Sequence, residues 1–296
     1  MTRTHVVVTC VFLASWVWLG QRFGLADSLS ATIQREAISA GAAMGISAPA
    51  REPCTRSDRP GVVRVTPDSI AVPIIVYHSV AHPKAHWTAA QREYNVPPDV
   101  FEAQMAYLRE IGVAVVTFSA LVDAVTAGCD LPGRAVVLTF DDGWVTQYEH
   151  AVPVLERFGY DASFFVFTNP LGRDARFMTW PQLRELRHAG FEIGSHSRTH
   201  PYLTRLDDPR AMRVEVAGSR EVLERELGGT IRYFAHPFGV STTAVEAAVR
   251  EAGYVAARAF PGGRWNSGAT QWSLRSVGAP ATLTEFRRLV SRAMAS

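Results

Sequence analysis

From residue 72 onward, short apolar runs alternate with longer segments in which apolar residues recur every three or four positions. The short runs predict strands at 72–78, 113–118, 135–140, 162–167, 191–196, 231–239, 254–260 and 272–277. The longer segments predict helices at 98–112, 119–127, 145–158, 180–190, 209–227, 242–253 and 283–294. Strands with uninterrupted apolar cores are typical of a parallel sheet covered by helices. The fold class is therefore α/β, as either an open doubly wound sheet or a barrel.

The first 70 residues have a different composition. An apolar run at 6–20 follows Arg3, and the small residues of GLA at 24–26 come before Asp27. This pattern predicts a signal peptide or N-terminal anchor over 1–26. The protein is therefore expected to be exported to the periplasm or the exterior, with membrane attachment through 6–20 if the segment is not cleaved. Residues 27–70 predict a linker with one short helix near 28–40, and residues 71–296 form the predicted functional domain.

Charge and cysteine content narrow the partners. The 296 residues include 30 Lys and Arg against 28 Asp and Glu, a formal net charge of +2 without a basic block. Nothing here indicates a nucleic-acid partner. We see no internal repeat or second large domain, and we expect a monomer. Of three cysteines, Cys10 lies in the N-terminal segment, so Cys54 and Cys129 either form one disulfide or remain free thiols.

Polar residues collect where the predicted strands end. The residues at or near these ends are His78, Asp141, Asp142, His196, Pro237, Phe238 and Arg275. In parallel α/β folds the loops after the strand carboxyl ends share one face, and active sites form there. The pattern therefore predicts one site at this face, assembled from several segments.

The spacing of His196 and His200 suits two ligands of one tetrahedral cation, although two unrelated surface histidines have the same spacing. A carboxylate from the adjacent pair Asp141 and Asp142 can supply the third ligand and leave an open position, which is typical of a catalytic site. The other carboxylate then serves as a general base, kept ionised by the nearby cation. This arrangement predicts metal-assisted hydrolysis of an amide or an ester.

Four stretches have the residues and the order of known motifs: TFDDG, ASFFVF, GFEIGSHSRTHPYLT and FAHPFG. On these, residues 70 to 280 resemble the NodB-like polysaccharide deacetylases of carbohydrate esterase family 4. The resemblance implies a distorted (β/α) barrel of about seven parallel strands. It also implies removal of N-acetyl groups from an N-acetylhexosamine polysaccharide, and zinc, Co²⁺ or Ni²⁺ as cofactor. The implied roles are general base for Asp141, metal ligands for Asp142, His196 and His200, and backbone oxyanion donor for Phe238.

The sequence departs from the family pattern in two places. The usual R-x-P-Y motif has Ala235 for its arginine and Phe238 for its tyrosine, so the residue that orients the base is missing. Arg275 is the candidate replacement, or else part of a structural ion pair. The late Leu-x-x-His motif, which supplies the general acid, is also missing. His78 in YHS resembles the early histidine of a permuted subgroup, the exported poly-N-acetylglucosamine deacetylases, and is the candidate acid, with His236 as the weaker alternative.

Five aromatic residues fall in or near the predicted rim loops: Trp144, Trp180, Tyr202, Phe238 and Trp265. We predict that Trp265, Trp180 and Tyr202 line a substrate groove, the alternative for each being core packing. Two other functions stay open on the same residues: an esterase for O-acetyl groups of a xylan-type polysaccharide, and a carbohydrate-binding protein without catalysis.

Overall fold

The computed structural model describes residues 62–63 and 70–294, all of which belong to the unit formed by residues 51–296. Its strands are Val62–Val63 (β1), Ile70–Ala71 (β2), Ile74–Tyr77 (β3), Ser79–Val80 (β4), Asn95–Val96 (β5), Ala114–Val116 (β6), Leu131–Pro132 (β7), Ala135–Asp142 (β8), Ser163–Val166 (β9), Glu192–Ser195 (β10), Tyr233–Ala235 (β11), Ala256–Arg258 (β12), Trp265–Asn266 (β13) and Ser276–Gly278 (β14). Its α-helices are Ala89–Glu93 (α1), Pro98–Glu110 (α2), Phe118–Ala127 (α3), Val152–Phe158 (α4), Trp180–His188 (α5), Pro209–Leu227 (α6), Thr243–Glu251 (α7) and Leu283–Met294 (α8). The predicted signal peptide or anchor, the helix near 28–40 and Cys54 lie outside the described residues.

Seven parallel strands form a nearly closed barrel in the order β12-β11-β10-β9-β8-β3-β14. The two ends of this order meet through a parallel bridge between Arg258 and Leu274. Val137 pairs with both Ile74 and Val116, so β6 lies on the edge of β8 opposite β3, the edge that β9 also uses. The predicted barrel of about seven strands is confirmed, and the open doubly wound sheet is excluded.

The barrel interior and the helical layer have separate cores, because strand side chains alternate between the two sides. Val137, Phe165 and Tyr233 belong to the inner core, where Phe118 of α3 packs against the rings of Phe165 and Tyr233 at centroid distances of 5.3 and 5.2 Å. The outer core joins the other side of the same strands to α2, α5, α6, α7 and α8. By the same alternation, Asp141 of β8 shares its side of the strand with Val137.

The predicted helices follow the observed ones closely, and 209–227 and 283–294 agree at both ends. The helix predicted at 145–158 differs, since it begins with a π-helical turn, Gln147–Ala151, before α4. Such turns are frequent at functional sites. The strand predicted at 231–239 ends early at Ala235, because Pro237 begins a 3₁₀ turn in which Phe238 has a positive φ of 58°.

Two further features bear on the predictions for the N-terminal region. Among the helices of residues 70–294, none is long and apolar enough to cross a membrane. Cys129 is disulfide-bonded. Since Cys54 lies outside the described residues, the Cys54–Cys129 pair stays a prediction.

Candidate active site

Three strands of the barrel place polar side chains at its carboxyl end. His78 follows β3, Asp141 and Asp142 end β8, and His196 follows β10. The turn after His196 returns His200 to the same place, with its backbone N–H donating to Ser197 Oγ at 3.0 Å. The structure therefore brings together the five residues that the sequence assigned to the base, the ligands and the acid.

Asp142, His196 and His200 form a three-residue donor set. The two imidazole Nε2 atoms lie 3.2 Å apart. Asp142 Oδ1 lies 3.7 Å from Nε2 of His196 and 3.6 Å from Nε2 of His200. Within the described part of the chain, these three residues are the group whose ligand atoms converge within 4.8 Å.

Neighbouring groups fix the orientation of each donor. His196 Nδ1 is 2.7 Å from the carbonyl oxygen of Ala235, so Nδ1 carries the proton and Nε2 keeps its lone pair. Trp144 Nε1 donates to Asp142 Oδ2 at 2.9 Å and leaves Oδ1 facing the histidines. Burial lowers the pKa of His196 to about 4, although Asp141 and Asp142 act in the opposite direction. His196 is therefore a neutral imidazole at pH 7, the form that a metal binds.

The donor set fits a divalent metal ion. Two nitrogens at about 2.05 Å from a tetrahedral ion are about 3.3 Å apart, close to the 3.2 Å found here. Imidazole and carboxylate donors suit zinc, and the same set also suits Co²⁺ and Ni²⁺. With three protein donors a tetrahedral ion keeps one open position, as catalytic sites do.

Strained backbone is concentrated at this site. The non-glycine residues with positive φ in the described chain are Asp142 at 74°, Ser197 at 72°, His200 at 60° and Phe238 at 58°. A non-glycine residue in this region costs about 1–3 kcal/mol, and such residues cluster at functional sites. Here the strain bends the chain after β8 and β10 so that both segments present donors to one point.

Asp141 is 4% exposed and receives a hydrogen bond from Arg258 Nη2 on its Oδ1. Its other oxygen, Oδ2, lies 3.9 Å from Nε2 of both His78 and His196. Burial alone would raise the pKa of Asp141, but favourable interactions of its carboxylate, of which the charge of Arg258 is the strongest, outweigh burial and lower it. The carboxylate is therefore ionised at neutral pH.

Arg258, and not Arg275, pairs with Asp141. Arg275 is exposed, and its Nη1 donates to the carbonyl oxygen of Gly262 at 3.4 Å. Arg258 is 1% exposed, shares the inner side of β12 with Ala256, and extends across the barrel to Asp141. The prediction that Arg275 orients the base was wrong because Leu274 occupies the inner position of that strand and Arg275 points outward. The available signal was an arginine within the apolar run YVAARAF.

We expect Arg258→Met to lower the free energy of unfolding by about 3–5 kcal/mol, because it leaves the buried Asp141 carboxylate without its counter-charge. Urea denaturation at pH 7 measures the change. Arg275→Met is the matched control and should stay within about 0.5 kcal/mol of wild type, since its guanidinium is exposed. Equal effects of the two substitutions would contradict the pairing.

His236, the weaker candidate for the acid, does not face the carboxylates. It is buried, its Nε2 donates to the carbonyl oxygen of Trp272 at 2.9 Å, and its Nδ1 is buried without a partner. Burial lowers the pKa of His236 to about 4, because a proton on Nδ1 would have no acceptor. The ring is therefore held neutral and serves packing.

This burial predicts a pH dependence of stability. Between pH 6.5 and pH 4 the unfolded chain binds a proton at His236 that the folded chain does not, so stability falls as the pH falls through this window. His236→Gln keeps a donor for Trp272. It should lower the slope of the unfolding free energy against pH by about 1.4 kcal/mol per pH unit in this window. Urea titrations at pH 7, 6 and 5 measure it. A slope equal to that of wild type would contradict the neutral buried ring.

The aromatic residues at the rim differ in the faces they leave open. Tyr202 stacks on Phe238 at 3.7 Å, and the Arg205 guanidinium lies 4.3 Å over the Tyr202 ring. Since the stacked ring occupies one face, the guanidinium covers the other. Tyr202 therefore supports Phe238. The prediction that Tyr202 offers a ring face to a sugar was wrong. Phe238 is 48% exposed and lies 4.5 Å from the ring of His200.

The other two predicted groove residues are not equivalent. Trp180 begins α5 and is half-buried against Gly172, and its groove role stays a prediction. Trp265 pairs with Ala71 before β3, whereas the site begins at His78 after β3. The extended chain from Ala71 to His78 spans about 20 Å. The prediction for Trp265 was therefore wrong, because its exposed loop lies at the amino end of the barrel.

Three residues that support the site were missed by sequence reasoning. Besides Arg258, Gln147 is fully buried and its Nε2 donates to the carbonyl oxygens of His78 and Asp141, which ties β3 to β8. Glu215 of α6 accepts the N–H groups of Arg198 and Thr199 at 3.0 and 2.8 Å and so fixes the turn between the two histidines. Both residues lie in segments whose sequence reads as ordinary amphipathic helix.

The sequence profile of the family described as polysaccharide deacetylase matches residues 129–257, a range that includes the two aspartates and both ligand histidines. The chain contains a polysaccharide deacetylase domain. The resemblance to the NodB-like enzymes is thereby confirmed. Residues outside 129–257, including His78 and Arg258, complete the deacetylase domain in space.

Related proteins agree with this assignment. The chain is 27% identical over 183 residues to YxkH of Bacillus subtilis (strain 168), a match that covers 62% of each chain. It is 32% identical over 129 residues to the poly-beta-1,6-N-acetyl-D-glucosamine N-deacetylase of Escherichia coli (strain K12), covering 38% of this chain and 19% of that protein. The chain therefore spans less than two thirds of the length of these curated relatives.

Solved structures share the fold of the deacetylase domain. IcaB from Ammonifex degensii has a TM-score of 0.64 at 25% identity, covering 76% of this chain and 97% of its own. The Streptococcus pyogenes deacetylase PplD in complex with acetate has a TM-score of 0.68 at 22% identity, covering 73% of this chain and 96% of its own. The deacetylase barrel is thus common to proteins with quite different sequences.

Proposed function

We propose that the protein is a metal-dependent hydrolase that removes N-acetyl groups from an N-acetylhexosamine polysaccharide and releases acetate. One observation carries the proposal: a second, ionised carboxylate, Asp141, lies directly beside the Asp142, His196 and His200 donor set. A binding protein has no need of a buried base next to an open metal position. Hydrolysis of an acetamide requires both.

In this proposal Asp142, His196 and His200 hold the metal ion, with zinc as the first choice and Co²⁺ or Ni²⁺ as alternatives. When bound, the ion supplies Lewis-acid polarisation of the acetamide carbonyl and lowers the pKa of water at the site. The tautomer that Ala235 imposes on His196 keeps Nε2 available as a donor. Trp144 restrains the carboxylate of Asp142 in the same way.

Asp141 and His78 move the protons. Asp141 Oδ2 accepts a proton from the attacking water, while Arg258 on Oδ1 fixes the plane of the carboxylate. His78 lies 3.9 Å from the same oxygen and donates a proton to the leaving amine nitrogen. The backbone N–H of Phe238, a residue with a positive φ, serves as the oxyanion donor in this proposal.

Poly-N-acetylglucosamine is the first substrate to test, because the Escherichia coli relative is named for it. Peptidoglycan and chitin-like glycans present the same acetamide and remain within the proposal. An O-acetyl esterase acting on a xylan-type polysaccharide is the alternative enzyme, since the same site could cleave an ester. A binding protein without catalysis is the alternative of a different class.

Acetate release separates these functions. Purified protein loaded with Zn²⁺, Co²⁺ or Ni²⁺ is incubated with poly-N-acetylglucosamine oligomers, chitin oligomers, peptidoglycan and acetylated xylan. We expect acetate from at least one N-acetylated glycan and its loss after chelation. Release from xylan alone would make the protein an esterase, and release from none of the glycans with any metal would favour the binding protein.

Export belongs to the proposal as well. It rests on the apolar run at 6–20 and the small residues at 24–26, which lie outside the described residues. A glycan of the cell surface is accessible only to a protein that leaves the cytoplasm. Cell fractionation and N-terminal sequencing of the mature protein would distinguish a cleaved signal peptide from a retained anchor, and sedimentation would test the expected monomer.

A further inference from the structure

Tyr94 is an exposed aromatic side chain beside the candidate acid. It is 56% exposed, and its ring lies 5.0 Å from the ring of His78 at an interplanar angle of 61°. His78 in turn lies 3.9 Å from Asp141. The Tyr94 ring is therefore at the carboxyl end of the barrel, one side chain away from the carboxylate of the base.

The backbone around Tyr94 is fixed although its side chain is open to solvent. Ser79 N–H donates to the carbonyl oxygen of Tyr94 at 3.0 Å. The next residue, Asn95, is buried and makes two hydrogen bonds with the backbone of Ala81. Its Nδ2 donates to the carbonyl oxygen of Ala81 at 2.9 Å, and its Oδ1 accepts the N–H of Ala81 at 3.0 Å. Strands β4 and β5 pair in parallel at the same place. The ring is thus exposed without the freedom of an ordinary loop residue.

Phe238 has the corresponding position on the other side of the site. It is 48% exposed, contacts the ring of His200 and is supported from behind by Tyr202. Contacts lead from Tyr94 through His78 to Asp141, and from Phe238 through His200 to Asp142. A ligand extended across the site therefore meets an open aromatic ring at each end.

We propose that Tyr94 forms a binding subsite for a sugar ring of the glycan, next to the unit that loses its acetyl group on the His78 side. The inference rests on the proposed function and adds the direction of the polymer, which runs from Tyr94 across the aspartates to Phe238. An uncharged hexosamine ring has apolar C–H groups that pack on an aromatic face, and burying the exposed Tyr94 ring provides the attraction. Tyr94 binds substrate and takes no part in proton transfer.

The first test measures binding without turnover. In an Asp141→Asn background, which keeps the glycan intact, calorimetry compares the affinity for a poly-N-acetylglucosamine pentamer with and without Tyr94→Ala. We expect the dissociation constant to rise about 10-fold in Tyr94→Ala and to stay near the background value in Tyr94→Phe, which keeps the ring. Trp265→Ala removes an equally exposed ring at the amino end of the barrel and is the matched control.

The second test uses the active protein. The ratio of kcat/KM for the pentamer to kcat/KM for the monosaccharide should fall about 10-fold in Tyr94→Ala, mainly through KM, and recover in Tyr94→Phe. An unchanged affinity and ratio in Tyr94→Ala, or equal losses in Tyr94→Phe and Trp265→Ala, would overturn the subsite. Absence of acetate release from wild type would instead reject the proposed function, while the binding test would still decide the subsite.

Discussion

Asp141→Asn is expected to lower kcat by between about 100-fold and 10,000-fold while the protein keeps its metal. The substitution preserves the shape of the side chain but removes the basic oxygen, Oδ2, that faces His78 and His196. Metal content should not change, because the donor set consists of Asp142, His196 and His200. Acetate release and elemental analysis of the same sample give both quantities.

The substitution also leaves the buried Arg258 guanidinium without a counter-charge, so some loss of stability accompanies it. Circular dichroism, at a temperature well below unfolding, must therefore show the native fold before the rate is interpreted. Asp161→Asn changes an exposed carboxylate just before β9, at the amino end of the barrel, and is the matched control. Full activity in Asp141→Asn, or loss of its metal, would assign the base role elsewhere.

His200→Ala is expected to weaken metal affinity by more than about 100-fold and to remove activity with it. Loss of an outer partner of a metal ligand typically costs 10–100-fold in affinity, and the loss of a direct donor costs more. His200 is also the less buried of the two histidines, so its replacement disturbs the core less than His196→Ala would. Competition with a chelator measures the zinc dissociation constant without reference to turnover.

His188→Ala serves as the control, because His188 is an exposed histidine at the end of α5. A second comparison strengthens the result: Glu215→Ala removes the carboxylate that fixes the turn before His200 and should give a smaller loss of affinity. Wild-type zinc content in His200→Ala would refute the ligand assignment, whatever the activity of the variant.

The sequence was informative about the site wherever a polar residue ended an apolar run. His78, Asp141 and His196 all lie at or directly after the ends of buried strands, and parallel strands end on one face, so their convergence could be predicted. Arg258 could not be placed in this way. Whether it faces the interior depends on the alternation along β12, and its pairing with Asp141 depends on barrel closure, which periodicity alone does not reveal.

The exposure of aromatic rings at the site was harder to predict than the order of the strands and helices. Trp265 lies in a glycine-rich stretch and is indeed exposed, but its loop lies beside Ala71 at the amino end of the barrel. Tyr202 is at the rim, yet Phe238 and Arg205 cover its two faces. Which face of a side chain is free depends on residues that are distant in sequence, and single-chain patterns contain no information on this.

The seam of the barrel, where β12 meets the chain at Leu274 just before β14, gives Arg258 a second role. Leu274 N–H donates to the carbonyl oxygen of Ala257 and Ala259 N–H donates to that of Leu274, both at 2.9 Å. Arg258 Nη1 donates to Ser276 Oγ of β14 at 3.3 Å. The guanidinium of Arg258, on β12, thus binds β14 across the seam and also holds the carboxylate of the base on β8. Any fluctuation that opens the seam withdraws the positive charge from Asp141. Cohesion of the barrel and basicity of its catalytic carboxylate are, in this protein, a single property.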